Sequence, residues 1–229
     1  MCFFDGLKPS SGFAERSALP FPEVLMATEP EDGWNEAFYN SWATLLSAEL
    51  DAQFHATAWS GFGMAENCCG GDALASDVWL RTLATVNSDD PNDVHGTTAE
   101  NEWFSTSADT FIPDAVVVNL GTNDNLGGRP ELVESYNATY KNLVLSAAAH
   151  YGTGTSFFLA CGPMDETYCD NVEWVITEVA QSGVSAYLLD QRGFLDGDFG
   201  EPCCGHPSAA IDQGMAESGA AFIKETMGW

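Results

Sequence analysis

Three short segments hold the residue types that chemistry needs. They are Ala58-Trp59-Ser60-Gly61-Phe62-Gly63, Asn119-Leu120-Gly121-Thr122-Asn123-Asp124 and Cys203-Cys204-Gly205-His206-Pro207-Ser208. The first two close runs with strand character and the third opens a helical pattern. Each has a plainer reading when taken alone. A glycine after a strand is a turn, Asn-Asp after a strand is a cap or an Asx-turn, and a single histidine is structural. An imidazole also exchanges protons near neutral pH, and Cys203, Cys204 and His206 together have the chemistry of metal ligands. No second ligand pair lies at zinc-finger spacing, and only Cys68-Cys69 stands to close such a site in space. Disulfides explain these cysteines better, so we expect no metal and no cofactor.

The elements that must position these segments alternate. Short apolar runs at Gln53 to Ser60, Ala115 to Leu120, Thr155 to Ala160 and Val184 to Leu189 read as strands, and Cys2-Phe3-Phe4 as a remnant of a first one. The run Ala115-Val116-Val117-Val118-Asn119-Leu120 is nearly continuous and rich in β-branched residues, as in a central parallel strand covered on both faces. Between the strands, apolar residues recur at helical spacing over Trp34 to Leu50, Pro130 to His150, Asn171 to Gln181 and Pro207 to Met227. Pro207 suits a first helical turn. This alternation predicts a three-layer α/β/α sandwich around a parallel sheet of about five strands, with ligands bound beyond the carboxyl ends of the strands. No repeat or linker divides residues 1–229, which we read as one domain. Gly61 to Asp77 and Val86 to Pro113 break the rhythm as long loops, and both follow the second strand.

Composition narrows the function classes. The chain has 34 acidic against 7 basic residues, a formal charge of −27. Such a surface repels nucleic acid and anionic membranes, and no apolar stretch is long enough to span a bilayer. The first residues lack the basic and apolar pattern of a signal peptide. Yet the seven cysteines, Cys2, Cys68, Cys69, Cys161, Cys169, Cys203 and Cys204, point to disulfides and an oxidising compartment. The expectation is a secreted or extracellular protein, with Cys2 the candidate for an unpaired thiol. The sequon Asn137-Ala138-Thr139, on a helical run, agrees with secretion.

In this order and spacing, the three segments resemble blocks II, III and V of the SGNH hydrolases, and within them the acetyl esterases of carbohydrate esterase family 2. Asn35-Glu36-Ala37-Phe38-Tyr39, Cys161-Gly162-Pro163-Met164 and Met215-Ala216 extend the likeness over residues 34 to the end. The resemblance implies a flavodoxin-like fold and ester hydrolysis through a serine acyl-enzyme, removing acetyl groups from a carbohydrate. It makes His206 the general base. The backbone N–H of Gly61 and the side-chain amide of Asn123 become the oxyanion donors, and Asp124 orients the Asn123 loop. Among the aromatic residues, Trp59 and Trp79 read as core. Phe62 and Trp103 are the expected contacts to the sugar.

Two departures qualify that picture. The family's Gly-Asp-Ser near the end of the first strand is missing. Aligning Gly12-Phe13 with the family pattern puts Leu7 and Lys8 at its Asp and Ser positions. Either the chain is a non-catalytic relative that binds a glycan or a protein partner, or Ser10 or Ser11 has taken over the role, or residues 1–33 are altered. The acid that usually precedes the histidine is missing too, its places taken by Cys203 and Cys204. A backbone carbonyl can orient a histidine instead. Asp190, Asp196 and Asp198 are substitutes whose plainer reading is a solvated acidic loop.

Overall fold

The computed structural model describes residues 2–5, 38–58, 61–68, 70–79, 112–197 and 206–229. Among the described residues five strands form one sheet: β1 (Cys2–Asp5), β2 (Gln53–Ala56), β3 (Ala115–Asn119), β4 (Ser156–Cys161) and β5 (Ala186–Asp190), in the order β2-β1-β3-β4-β5. The helices are α1 (Trp42–Glu49), α2 (Ala75–Val78), α3 (Pro130–Tyr151), α4 (Cys169–Ala180) and α5 (Ala209–Met227).

Alternation along the strands divides the core into two layers. Val116, Val118, Phe157, Leu159 and Cys161 face α3 and α4, where Tyr136, Tyr140, Leu143, Val172 and Val175 cover them. Ala115, Val117, Phe158, Ala160 and Leu189 face α1 and α5, meeting Leu46, Leu50, Ala216, Ala220 and Ile223. The near-continuous apolar run of β3 is thus buried from both sides, as a strand between two helical layers must be. The predicted stripe on α3 holds: Tyr136, Tyr140, Leu143 and Ala147 are buried, and Leu132 packs against them. Two tyrosine hydroxyls of that stripe donate to β3, Tyr136 to the Leu120 carbonyl at 2.9 Å and Tyr140 to the Val118 carbonyl at 3.3 Å.

Several boundaries differ from expectation. The first helix begins at Trp42, behind a 3-10 turn at Phe38–Asn40. Strand β2 ends at Ala56, while β4 runs on to Cys161. The loop after β2 contains the short helix α2. Pro207 precedes the last helix instead of opening it. Ser208 is the N-cap, its hydroxyl accepting the Ile211 N–H at 3.4 Å, because a serine cap satisfies an otherwise unpaired donor.

The larger correction concerns β1. Strands β3, β4 and β5 are mutually parallel, but β1 runs antiparallel to both neighbours, with Cys2 opposite Val117 and Ala56. Asp5 pairs with Gln53, the first residue of β2, so β1 carries the chain away from the carboxyl edge of the parallel strands. Ladder hydrogen bonds close in either direction. A strand's direction is therefore set by its connections and not by its own residues, which is why the short apolar run alone did not reveal it.

Candidate active site

The carboxyl edge of the sheet gathers three loops. The first follows β2, runs from Gly61 to Asn67, and is held by its own polar groups. Asn67 is buried; its side-chain oxygen accepts the Gly63 N–H at 2.9 Å, and its nitrogen donates to the carbonyls of Gly71 and Ala73 at 3.1 and 2.8 Å. Gly61 adopts φ +79°, the left-handed region that favours glycine, and its carbonyl accepts the Cys68 N–H.

The second loop follows β3. Gly121, at φ +144°, lies flat on the Tyr168 ring, where a side chain's first carbon would come within 2.6 Å of it. The chain then forms the 3-10 turn Thr122–Asp124. This turn docks on the first loop through two adjacent residues. Asn123 donates its side-chain N–H to the Phe62 carbonyl at 2.9 Å. Asp124 is fully buried, and its carboxylate accepts the backbone N–H groups of Met64, Ala65 and Glu66 at 2.5 to 3.1 Å. Three consecutive amides thus converge on one carboxylate. Burial pushes the Asp124 carboxyl above its ordinary value, against the opposing pull of those three N–H groups. Gly63 makes the approach possible, since a side chain there would meet the Glu66 carbonyl and the Asp124 carboxylate.

The third loop follows β4. A disulfide joins Cys161 to Cys169 across eight positions, with Cα atoms 5.2 Å apart. Within it the Tyr168 hydroxyl accepts the Gly162 N–H at 3.1 Å. Desolvation is the main reason that the phenol is pushed up to about 12. Cys68 is disulfide-bonded as well.

His206 lies just before α5, which packs with α1 on the other face of the sheet. At the end of β5, Phe194, just beyond that strand, clusters with Ile211 and Met215 from the first turns of α5, together with Trp42. The imidazole is exposed. Nearby, Asp212 in the first turn of α5 accepts the Trp42 N–H, and burial pushes its carboxyl up to about 7.

Of the residues singled out by sequence, the structure brings Gly61, Phe62 and Asn123 together, and His206 precedes α5, whose start packs against Phe194 beyond the end of β5. Phe62 is half-buried against Ala73 and Val78, so much of its ring belongs to the core. Trp79 is buried, as its helical spacing implied. Ser10, Ser11, Lys8, Trp59, Trp103, Cys203, Cys204 and Asp198 lie outside the described residues. Asp190 is tied to Arg192 at 2.6 Å, which holds its carboxyl below the ordinary range, and Asp196 is exposed. Among the described residues no three His, Cys, Asp or Glu side chains gather as a metal site. A cavity of about 140 Å³ adjoins Asn123, lined also by Thr57, Ala58, Phe62, Trp79 and Asn119. Sequence reasoning missed Asn67, Gly63 and Tyr168. Their signal was faint: an asparagine and spaced glycines in a loop, and a tyrosine just before a helix.

No family model matches the chain. It is 31% identical over 202 residues to cellulase/esterase CelE of Acetivibrio thermocellus, an alignment covering 85% of this chain and 22% of CelE. The same fold occurs in a solved carbohydrate esterase whose active site displays divergent catalytic and non-catalytic binding functions. That match has a TM-score of 0.62 and 21% identity, covering 82% of this chain and 57% of the other. It occurs again in the acetyl xylan esterase Est2A of the rumen bacterium Butyrivibrio proteoclasticus, with a TM-score of 0.66, 17% identity, and 84% and 57% of the two chains covered. The chain thus spans about a fifth of CelE and just over half of each solved esterase. With these neighbours, and with the three loops on one sheet edge, the chain is similar in sequence to a part of cellulase/esterase CelE and shares the fold of the two solved esterases.

Proposed function

We propose that this edge is an acyl-ester site of the carbohydrate-esterase kind, taking an O-acetylated glycan. The substrate carbonyl oxygen sits between the Gly61 N–H and the Asn123 amide, donors whose removal costs about 3–4 kcal/mol of transition-state stabilisation in a comparable site. His206 takes the proton of an attacking serine hydroxyl as the oxyanion forms, then gives it to the departing sugar oxygen. Water, deprotonated by the same imidazole, releases acetate from the acyl-enzyme. Phe62 and Trp103 contact the sugar, and Ser10 and Ser11 are the serines to test as nucleophile. The observation that carries this reading is the hydrogen bond from Asn123 to the Phe62 carbonyl, which ties one donor to the loop bearing the other. The disulfides support a secreted or extracellular setting.

One observation favours a second reading, glycan binding without hydrolysis. In a parallel arrangement, the strand between β2 and β3 would end at the site edge. Here β1 runs the other way, and its last residue, Asp5, lies at the opposite edge.

Hydrolysis of 4-nitrophenyl acetate separates the two. The esterase reading expects turnover that falls by about 10²-fold or more in His206→Ala and by about 10²–10³-fold in Asn123→Ala. A parent chain without turnover that still binds an acetylated oligosaccharide would establish the second reading in its place.

A further inference from the structure

Along α3 and α4, from Pro130 in the first turn of α3, lies an open groove of about 640 Å³. Its walls include Glu134, Asn137, Lys141 and Trp174. Trp174 is one of six exposed large apolar side chains among the described residues, at 41%. Lys141 is anchored to Glu178 at 2.8 Å and leans over the indole at 5.9 Å from the ring centre. Asn137 is the acceptor position of the sequon Asn137-Ala138-Thr139. Its side-chain oxygen accepts a hydrogen bond from Asn171 of α4 at 2.9 Å. That bond turns the oxygen toward α4, and the amide nitrogen has no acceptor among the described residues.

We infer that Asn137 is an N-glycosylation site whose first sugar lies in this groove. The inference rests on the secretory reading of the cysteines and is independent of esterase activity. Sequon chemistry requires an asparagine nitrogen that the finished fold leaves able to carry bulk. The groove supplies that room, and an exposed indole with polar neighbours offers an apolar face to a sugar ring. The co-substrate is an oligosaccharide linked through a diphosphate to a polyisoprenyl lipid. The bond from the Asn137 nitrogen to the anomeric carbon forms, the anomeric carbon–oxygen bond to the diphosphate breaks, and the amide proton leaves with the diphosphate. The glycan makes this helical face an outer surface of the folded protein.

The test is secretion of the full chain from a eukaryotic host behind a cleavable leader, followed by peptide mass mapping with and without a glycan-releasing amidase. The expected result is a glycan on the Asn137 peptide of most molecules, with conversion of that residue to aspartate on release. Asn137→Gln and Thr139→Ala should each abolish it, the second without touching the Asn171 hydrogen bond. Unmodified Asn137 in the secreted chain would overturn the inference. A thiol titration of the same sample, denatured, is read separately. Free thiols at Cys161 and Cys169 would defeat the oxidising-compartment reading whatever the state of Asn137.

Discussion

Around Asp124 and around His206 the structure is built in opposite ways. Near Asp124, residues 58 to 61 positions apart are locked together by five hydrogen bonds, all buried or partly buried, and the first loop is fastened again by Asn67. Near His206 the imidazole is exposed and the following helix is held by a local cap, Ser208 to Ile211. The first region therefore shares the fold's cooperativity, because disturbing it strands buried backbone donors. The second is held by that cap and by the packing of Phe194 and Trp42 on the start of α5, with the imidazole at the surface. In the proposed chemistry this division is useful: oxyanion donors act through preorganisation, whereas a base must exchange protons with its surroundings.

The comparison can be broken most severely at Asp124. Replacing it by alanine leaves three N–H groups without their acceptor, and the loss should be about 3–5 kcal/mol in urea unfolding. A loss below about 1 kcal/mol would mean that the loop is not held this way. Gly63→Ala comes next, at about 1–3 kcal/mol, because the added methyl overpacks against the Glu66 carbonyl and the carboxylate.

Asp212 sharpens the contrast by pH. Burial pushes its folded carboxyl up to about 7, whereas in the unfolded chain it has the ordinary value of 3.8. Between those values the folded chain holds a proton that the unfolded chain has released, so this group's contribution makes stability fall as pH rises through that window. Asp212→Asn should flatten the fall, raising the urea midpoint relative to the parent at pH 8 more than at pH 5. Equal shifts at both values would dismiss the titration. The smallest effect belongs to Arg129→Ala. Its ion pairs with Glu66 and Glu131 are exposed, and the midpoint should not move measurably.

Much of the scaffold was legible. The β-branched run of β3 announced a strand buried on both faces, and the spacing of Tyr136, Tyr140, Leu143 and Ala147 announced the buried stripe of α3. These are local patterns, fixed by the two-residue and 3.6-residue periods of strand and helix. Loop positions of Gly61, Asn123 and His206 were legible for the same reason, since each sits where a pattern ends. Of Asp124, only an orienting part was readable. Its burial and its three donors depend on two loops whose meeting is arranged by β2 and β3, strands separated in the sheet by β1.

By itself, then, the sequence determined the alternating elements and the faces they bury, because each follows from spacing within a few residues. Tertiary structure decided the reversed direction of β1, the pairing of Cys161 with Cys169, and the choice of Asp124 as the anchor of the first loop. Each of these is a choice among partners that local spacing leaves equivalent. It is made only when the sheet sets chain ends, sulfurs and buried donors at particular distances from one another.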